Sequence, residues 1–353
     1  MPDTRELRVA WGFNRQAALQ TALAVGSLWS LNQSNDDFGF PRPNHEDNAN
    51  DKGKGTPFPT QRFKTTLDSS TPWNYYLTSQ NAAMLAVFGL GKVSEAVEGA
   101  NGGVKYVCAP NVVLAAANDD MPSTSNLVTV RQGASDVVDH LLIGMCCEEF
   151  TITVTRGPGR ENATMTSSWV GCGKYTKPSG IVQPALTVEH ELNAGGVSIL
   201  SLFGTDLLPT KRFEQFTFTV KNNIRLDRGY YPGSGSQLGY QLRGRMLRGP
   251  QQITASYQAL LEDGSPEFDA VLAGTQGVFR MKMEGPQIGA GPEKHYLDIT
   301  LPKVQLLEAP FSADDGLMMV TAGMSVQDDP AAVDRVLKME VVTNKAGIGE
   351  LPA

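Results

Sequence analysis

Four histidines, His45, His140, His190 and His295, are the residues of this sequence best equipped to hold a metal or move a proton. They stand in four separate segments, without the short spacing that puts two ligands on one face of an element. His190-Glu191 begins like a zinc-protease helix but lacks its second histidine. Cys108, Cys146, Cys147 and Cys172 contain no C-x-x-C, and adjacent cysteines rarely bridge each other. They read as free, buried thiols of a chain that folds in a reducing compartment. Gly89-Leu90-Gly91-Lys92-Val93 approaches a phosphate-binding loop, yet Ala86 stands where its first glycine belongs and Val93 where a hydroxyl should meet magnesium.

Other constellations fail in the same way. Gly233-Ser234-Gly235-Ser236 ends in the wrong residue for a nucleophile elbow. The acid pairs Glu148-Glu149, Asp314-Asp315 and Asp328-Asp329 lack the twelve-residue calcium-loop pattern. The Asn162-Ala163-Thr164 sequon matters only in a secreted chain. The expectation is a protein that is not an enzyme and carries no cofactor and no metal.

A binding site is the better prospect. The stretch Lys221–Gln252 carries Arg225, Arg228, Arg243, Arg245 and Arg248 among Tyr230, Tyr231 and Tyr240. Interleaved basic and aromatic residues can grip single-stranded nucleic acid. They can equally form a protein–protein contact, where Arg and Tyr are enriched, or stand in a solvated loop. A formal net charge of -7 weighs against a surface built for nucleic acid and toward the protein contact. Residues 32–60 are rich in Asn, Asp, Gly, Pro and Lys, with Phe38, Phe40 and Phe58 as sparse apolar anchors. Such a stretch is either a mobile surface loop or an arm ordered against a neighbouring subunit. The candidate inter-subunit set is therefore Phe38, Phe40, Arg225, Arg228, Tyr230, Tyr231, Tyr240 and Arg243.

The elements that must carry these residues are mostly strands. At 353 residues, 41% hydrophobic and 19% charged, the chain can build a large core, and 36 glycines and 21 prolines supply many turns. Phe216-Thr217-Phe218-Thr219-Val220 alternates apolar and polar, as does Ile253-Thr254-Ala255-Ser256-Tyr257 beyond the arm. Phe150 to Val154 and Met165 to Trp169 repeat the two signatures upstream, which suggests internal duplication. The first strands of the two copies lie close together for two complete tandem domains, so one large sandwich is the alternative. The preferred division is 1–178, an N-terminal β-domain with the long loop 32–60, and 179–353, a C-terminal sandwich with the arm 221–252. Lys177 to Gly180 is the candidate linker.

Short helices are expected over Ser79 to Phe88, stopped by Gly89, and over Pro266 to Ala273, ended by Gly274. Further strands are expected at Leu7–Trp11, Arg62–Thr66, Val104–Ala115, Leu127–Arg131, Ala185–His190, Val197–Phe203, Val278–Glu284, Tyr296–Leu301, Leu317–Val326 and Leu337–Thr343. No apolar run reaches the ~20 residues of a membrane helix, and Ala17 to Leu31 is interrupted by Gln20, Thr21 and Ser27. The expected fold class is all-β, with sandwich or barrel domains, short helices and long loops or arms.

The second half then resembles a known family. Phe216 to Asn223, the strand Ile253 to Tyr257, the helix Glu267 to Ala273 followed by Gly274-Thr275, and the late strands through Val342-Thr343-Asn344 look like a tail tube protein of long, non-contractile-tailed (siphovirus-type) bacteriophages. The likeness lies in the order and texture of elements over about residues 145 to 345. It implies a β-sandwich or barrel that closes into rings, usually sixfold, stacked into a hollow tail tube through which DNA passes. A doubled chain would give a trimeric ring of pseudo-sixfold symmetry. The implied partners are further copies of the chain, a tape-measure protein, tail-terminator and distal tail proteins, and DNA in transient passage, with no membrane. The implied location is the virion tail, after assembly in the host cytoplasm. Two other readings stay open: a different virion or secretion-tube component of related fold, and a soluble β-sandwich binding module, for instance for carbohydrate. The second needs an aromatic site, and Trp11, Trp29, Trp73 and Trp169 are scattered along the sequence.

Overall fold

The two matching runs lie side by side. In the computed structural model, Phe150 faces Val220, Ile152 faces Phe218 and Val154 faces Phe216 across one antiparallel ladder. Directly opposed residues of such a pair share a face, so these six side chains bury together while Thr151 and Thr219 meet on the other face, their hydroxyls 2.9 Å apart. Met165 to Trp169 flanks the first run and Ile253 to Tyr257 flanks the second. The repeated hairpins are therefore two halves of one four-stranded unit. The two hairpins, which the expected division placed on either side of residue 178, thus share one ladder.

The structure describes residues 5–32, 39–47, 58, 61–98, 101–110, 121–132, 135–156, 163–178, 184, 188–208, 213–231, 233–261, 266–314 and 317–351. The fold is all-β, with two α-helices among these residues. Its first half comprises β1 (Arg5–Gly12), β2 (Leu28–Ser30), β3 (Phe40–Asp47), β4 (Arg62–Tyr76), α1 (Ser79–Leu90), β5 (Gly91–Glu98), β6 (Gly103–Pro110), β7 (Thr124–Gln132), β8 (Ser135–Thr155), β9 (Ala163–Gly171) and β10 (Tyr175–Thr176). There follow β11 (Val197–Leu202), β12 (Thr205–Asp206), β13 (Phe213–Lys221), β14 (Ser236–Gln237), β15 (Tyr240–Gln241), β16 (Gln252–Leu260) and α2 (Pro266–Ala273). The chain ends with β17 (Gln276–Gln287), β18 (Lys294–Glu308), β19 (Phe311–Asp314), β20 (Leu317–Val326) and β21 (Lys338–Thr343).

One run of pairing goes β3-β4-β9-β8-β13-β16-β20-β19. A second goes β12-β11-β17-β18-β21-β6-β5. They join where the end of β18 pairs with β20. Their apolar faces meet: Phe216 of β13 stacks on Phe279 of β17, ring centroids 5.4 Å apart and 14° from parallel. One hydrophobic core runs from Trp11 to Ile348 and draws on both sides of the expected boundary. The C-terminal β21 pairs with β6 of the first half, Val341 opposite Tyr106.

Helix α1 plugs this sandwich, with all twelve of its residues buried. Thr78 and Asn81 form its capping box. Its stop is Gly91, at φ 92°, where a side chain would be strained. Gly89, the expected stop, lies inside the helix against the Phe150 ring, where a Cβ would come within 2.5 Å of Phe150. The glycines of the near phosphate loop thus serve helix packing and helix ending.

β8 changes partners midway. Up to Met145 it pairs with β7 and β10, in a sheet that includes β1 and β2; from Cys146 on, it pairs with β9 and then β13. Gly144 has φ 70°, and a Cβ there would lie 2.6 Å from the Leu19 carbonyl, so the corner requires glycine. At this junction three tryptophans far apart in sequence converge. Trp11 lies 5.1 Å from Trp73 and 4.7 Å from Trp169 between ring centroids, and all three are fully buried.

Several expected boundaries move. β4 runs ten residues past the expected Thr66, through Pro72, and β3 occupies part of the stretch expected as a loop or free arm. β5 follows α1 directly where no strand was expected. The expected strand at Ala185–His190 is absent over 188–190, and 185–187 lie outside the described residues, as do 179–180 of the expected linker and 111–115 of the expected strand after Val104.

Candidate functional site

The arm between β13 and β16 is closed at its base by a polar clasp. Asn222 is fully buried. Its Nδ2 donates to the carbonyls of Gly89 and Cys147, both at 2.9 Å, and its Oδ1 accepts from Gln251 Nε2 at 2.8 Å. Asn223, at φ 48°, donates from Nδ2 to the Pro250 carbonyl at 2.6 Å. Asparagine suits this place because its short amide tolerates the left-handed region and bonds nearby backbone.

From the clasp the arm folds back over β3 and β4 instead of projecting. Leu238 and Gly239, at φ 53° and 84°, turn the β14–β15 hairpin. Gln237 brackets Tyr175, its Oε1 accepting from the backbone N–H at 3.1 Å and its Nε2 donating to the carbonyl at 2.8 Å. Arg243 is the centre of the contact. Its Nη2 lies 2.6 Å from Asp68 Oδ1, its Nη1 donates to the Gly171 carbonyl at 3.0 Å, and its Nε donates to the Leu226 carbonyl at 3.2 Å. The guanidinium also lies 5.0 Å from the centroid of the Tyr230 ring, whose hydroxyl donates to the same Asp68 oxygen at 2.7 Å. Burial pushes the Tyr230 phenol up to about 12, so it stays a donor. Tyr240 packs on Leu67 and Leu242, and its hydroxyl lies 2.9 Å from His45 Nε2.

The expected inter-subunit set therefore divides. Arg243, Tyr230 and Tyr240 are used inside the chain, where their types suit an arginine–tyrosine–carboxylate latch. Phe40 sits in β3 with its ring 5.7 Å from His140. Phe38 lies outside the described residues. Arg225 and Arg228 are exposed, the latter 3.7 Å from Asp227, and Tyr231 is half-exposed. Among the described residues, the other seven do not gather at one surface.

It does bring together a group the sequence reading passed over. Arg225 and Arg248, from the two ends of the arm, and Arg335, from the turn between β20 and β21, line a cleft of about 550 Å³ floored by Ile253, Val326 and Val336. Arg335 is held by Asp328, its Nε donating to Oδ1 at 2.8 Å. The signal in sequence was Arg225 and Arg248 bracketing the arm; nothing local linked them to Arg335.

The Ser79–His295 pair and the four thiols are sealed. Ser79 Oγ lies 2.9 Å from His295 Nδ1, the spacing of a nucleophile and its base, and His190 stacks on His295 at 4.1 Å. Both Ser79 and His295 are buried, Ser79 in the first turn of α1, so no substrate reaches them. Desolvation, and then the neighbouring His190, lower the His295 pKa to about 4, which keeps the imidazole neutral. All four cysteines are free and buried. Burial raises the pKa of Cys108 and Cys147 and takes Cys172 up to about 11, the opposite of an activated thiol. Among the described residues no three His, Cys, Asp or Glu side chains cluster as a metal site, and no helix is long and apolar enough to cross a membrane.

The outer face of the shared sheet is open and of one character. Thr166 of β9, Thr151 and Thr153 of β8, Thr217 and Thr219 of β13, and Thr254 and Ser256 of β16 stand in adjoining register, continued by Ser325 and Gly323 of β20. None of these is buried. Charge borders it, as the Glu149–Lys221 pair at 3.4 Å at one end and the Glu308 side chain over Gly323 at the β20 edge. No family model matches the chain, and no curated protein matches it.

Proposed function

We propose that the chain is a structural subunit of a hollow tube of the phage tail type, with the hydroxyl-covered face of β9, β8, β13, β16 and β20 turned toward the channel. The observation that supports this most is that face: several strands wide, open, hydrogen-bonding and without an arginine or lysine at its centre. A polyanion passing such a wall finds water-like partners and no cation to hold it, whereas each basic contact would add an attractive, salt-dependent term. The repeated hairpins form one sheet, so each subunit contributes one wall element, and the ring this reading calls for has six subunits rather than three doubled ones. A carbohydrate-binding module is the weaker reading, because all four tryptophans are buried and none offers a platform.

Negative-stain electron microscopy of the purified protein over a concentration series tests the proposal. Rings or hollow tubes of sixfold symmetry are expected. Monomers at every concentration, or solid fibres without a channel, would overturn it.

A further inference from the structure

The sequence holds one asparagine followed directly by glycine, Asn101-Gly102. The pair stands in the turn between β5 and β6, just before Gly103 takes its place opposite Glu98. Both residues are exposed, and Gly102 sits at φ 80° with open space where a Cβ would be. The Asn101 side chain is nevertheless tied down. Its Nδ2 donates to Glu293 Oε2 at 2.6 Å, and a Cβ on Gly291 would collide with that nitrogen. Glu293 closes the turn between β17 and β18, its carbonyl accepting from the Ile288 N–H at 2.8 Å. A side-chain hydrogen bond thus joins two turns on either side of the end of β21, which pairs with β6 and β18.

We propose that Asn101 is a site of intramolecular deamidation, and that the change unties these two turns. The Gly102 backbone nitrogen attacks the Asn101 amide carbon, and the new C–N bond closes a succinimide ring. The bond from that carbon to Nδ2 breaks, and Nδ2 leaves as ammonia with the proton that the Gly102 nitrogen gives up. Water then opens the ring at either carbonyl, leaving aspartate or its β-linked isomer, isoaspartate, at position 101. Glycine suits the step because no side chain crowds its nitrogen. The bond to Glu293 holds the amide in place and slows the attack without burying it. Either product puts a carboxylate where Nδ2 was a donor. An ionised carboxylate only accepts, so the bond to Glu293 is lost and two like charges face each other. The isomer also lengthens the main chain of the turn. Little side-chain burial opposes the release, since Val93, Ser94, Glu95, Ala96 and Val97 of β5 are all exposed and the strand's ladder is with β6. The site works the same way in a lone chain and in an assembled subunit.

Ageing the full-length protein in mildly alkaline buffer tests this, with peptide mapping by mass spectrometry and isoaspartate read by its specific enzymatic methylation. Asn101 is expected to convert ahead of the other asparagines, with ammonia released one for one. Glu293→Ala, which frees Nδ2, should convert roughly two- to fivefold faster, the factor that an exposed charged contact corresponds to. Asn101→Asp makes the product directly and should speed hydrogen exchange across β5 and residues 288–292. Its excess over Asn101→Ser, which loses the amide but adds no charge, should vanish below about pH 4, where both carboxylates are protonated. Asn101 left intact in the native protein, under conditions that deamidate it in the urea-unfolded chain, would overturn the site. Equal rates in wild type and Glu293→Ala would remove the restraint by Glu293. Conversion at Asn101 with wild-type exchange in Asn101→Asp would refute the untying of the turns.

Discussion

Replacing Arg243 with alanine should detach the arm from the sheet. The Arg243 side chain is 5% exposed and Asp68 is 31% exposed, so the pair lies between the buried and surface limits. Breaking a fully buried pair from one side costs about 3–5 kcal/mol, because the remaining charge is left without compensation. Here Asp68 keeps Tyr230 and Asn44 as donors, which moves the estimate toward the lower end. The carbonyls of Gly171 and Leu226 also lose a donor each, which restores part of it. The expected loss is about 3 kcal/mol for Arg243→Ala, and about 1–2 kcal/mol for Asp68→Asn, which retains an amide for Arg243 to approach. Arg243→Lys should recover less than half, since an ammonium cannot reach the three acceptors in the guanidinium fork. Urea unfolding measures the total, and hydrogen exchange of the β14–β15 amides locates it. A double-mutant cycle with Asp68 should give a coupling of roughly 1–3 kcal/mol. A loss under 1 kcal/mol for Arg243→Ala, with unchanged exchange in the hairpin, would refute the latch.

Stability should fall as pH drops from about 6.5 to about 4, because His295 is held neutral in the fold at about 4 and regains its ordinary pKa when unfolded. The unfolded chain then binds the extra proton in that window, and the contribution is up to roughly 3 kcal/mol. Glu189, whose pKa burial raises, acts with the opposite sign, so the readout is the difference between wild type and His295→Gln; parallel pH profiles would refute it. None of the four thiols should react with a disulfide reagent in the native protein, and all four should in denaturant; a fast native thiol would contradict their burial. Asn222→Ala should cost roughly 2–3 kcal/mol in urea unfolding by stranding the Gly89 and Cys147 carbonyls, and a neutral result would mean that the clasp is ornamental. Gly144→Ala should cost more than ~2 kcal/mol, from left-handed strain and the Leu19 contact together, and a fully stable variant would remove the argument for the corner.

What could be read from sequence was what alternation records. β13, β16, β17 and β20 lie where apolar residues recur at every second position, because each has one buried and one open face. β3 was missed for the converse reason. Its sequence, with Pro41 and Pro43 beside charged residues, carries no apolar face, and its strand state comes from backbone pairing with β4. The duplication was legible as a repeat, but its meaning was not. Two matching alternating runs fit two cores or one shared ladder equally well, and it is the register of Phe150 against Val220 that shows the shared ladder. The arm's basic and tyrosine residues were found by type, yet Asp68 has no local feature that points across the chain to Arg243. The same holds for Trp11, Trp73 and Trp169, whose separate strands meet at a corner set by one glycine.

The pairing of β21 with β6 and β18 also bears on how the chain is made. A ribosome releases β6 long before it releases β21, and throughout that interval β6 can pair only with β5. The nascent protein must carry an open ladder edge until β21 emerges, so its core closes late and slowly, as for any fold dominated by distant contacts. Synthesis itself thus orders events: the sandwich can close only once β21 has been made, and a chain cut short before Lys338 would leave the β6 and β18 edges open to other chains.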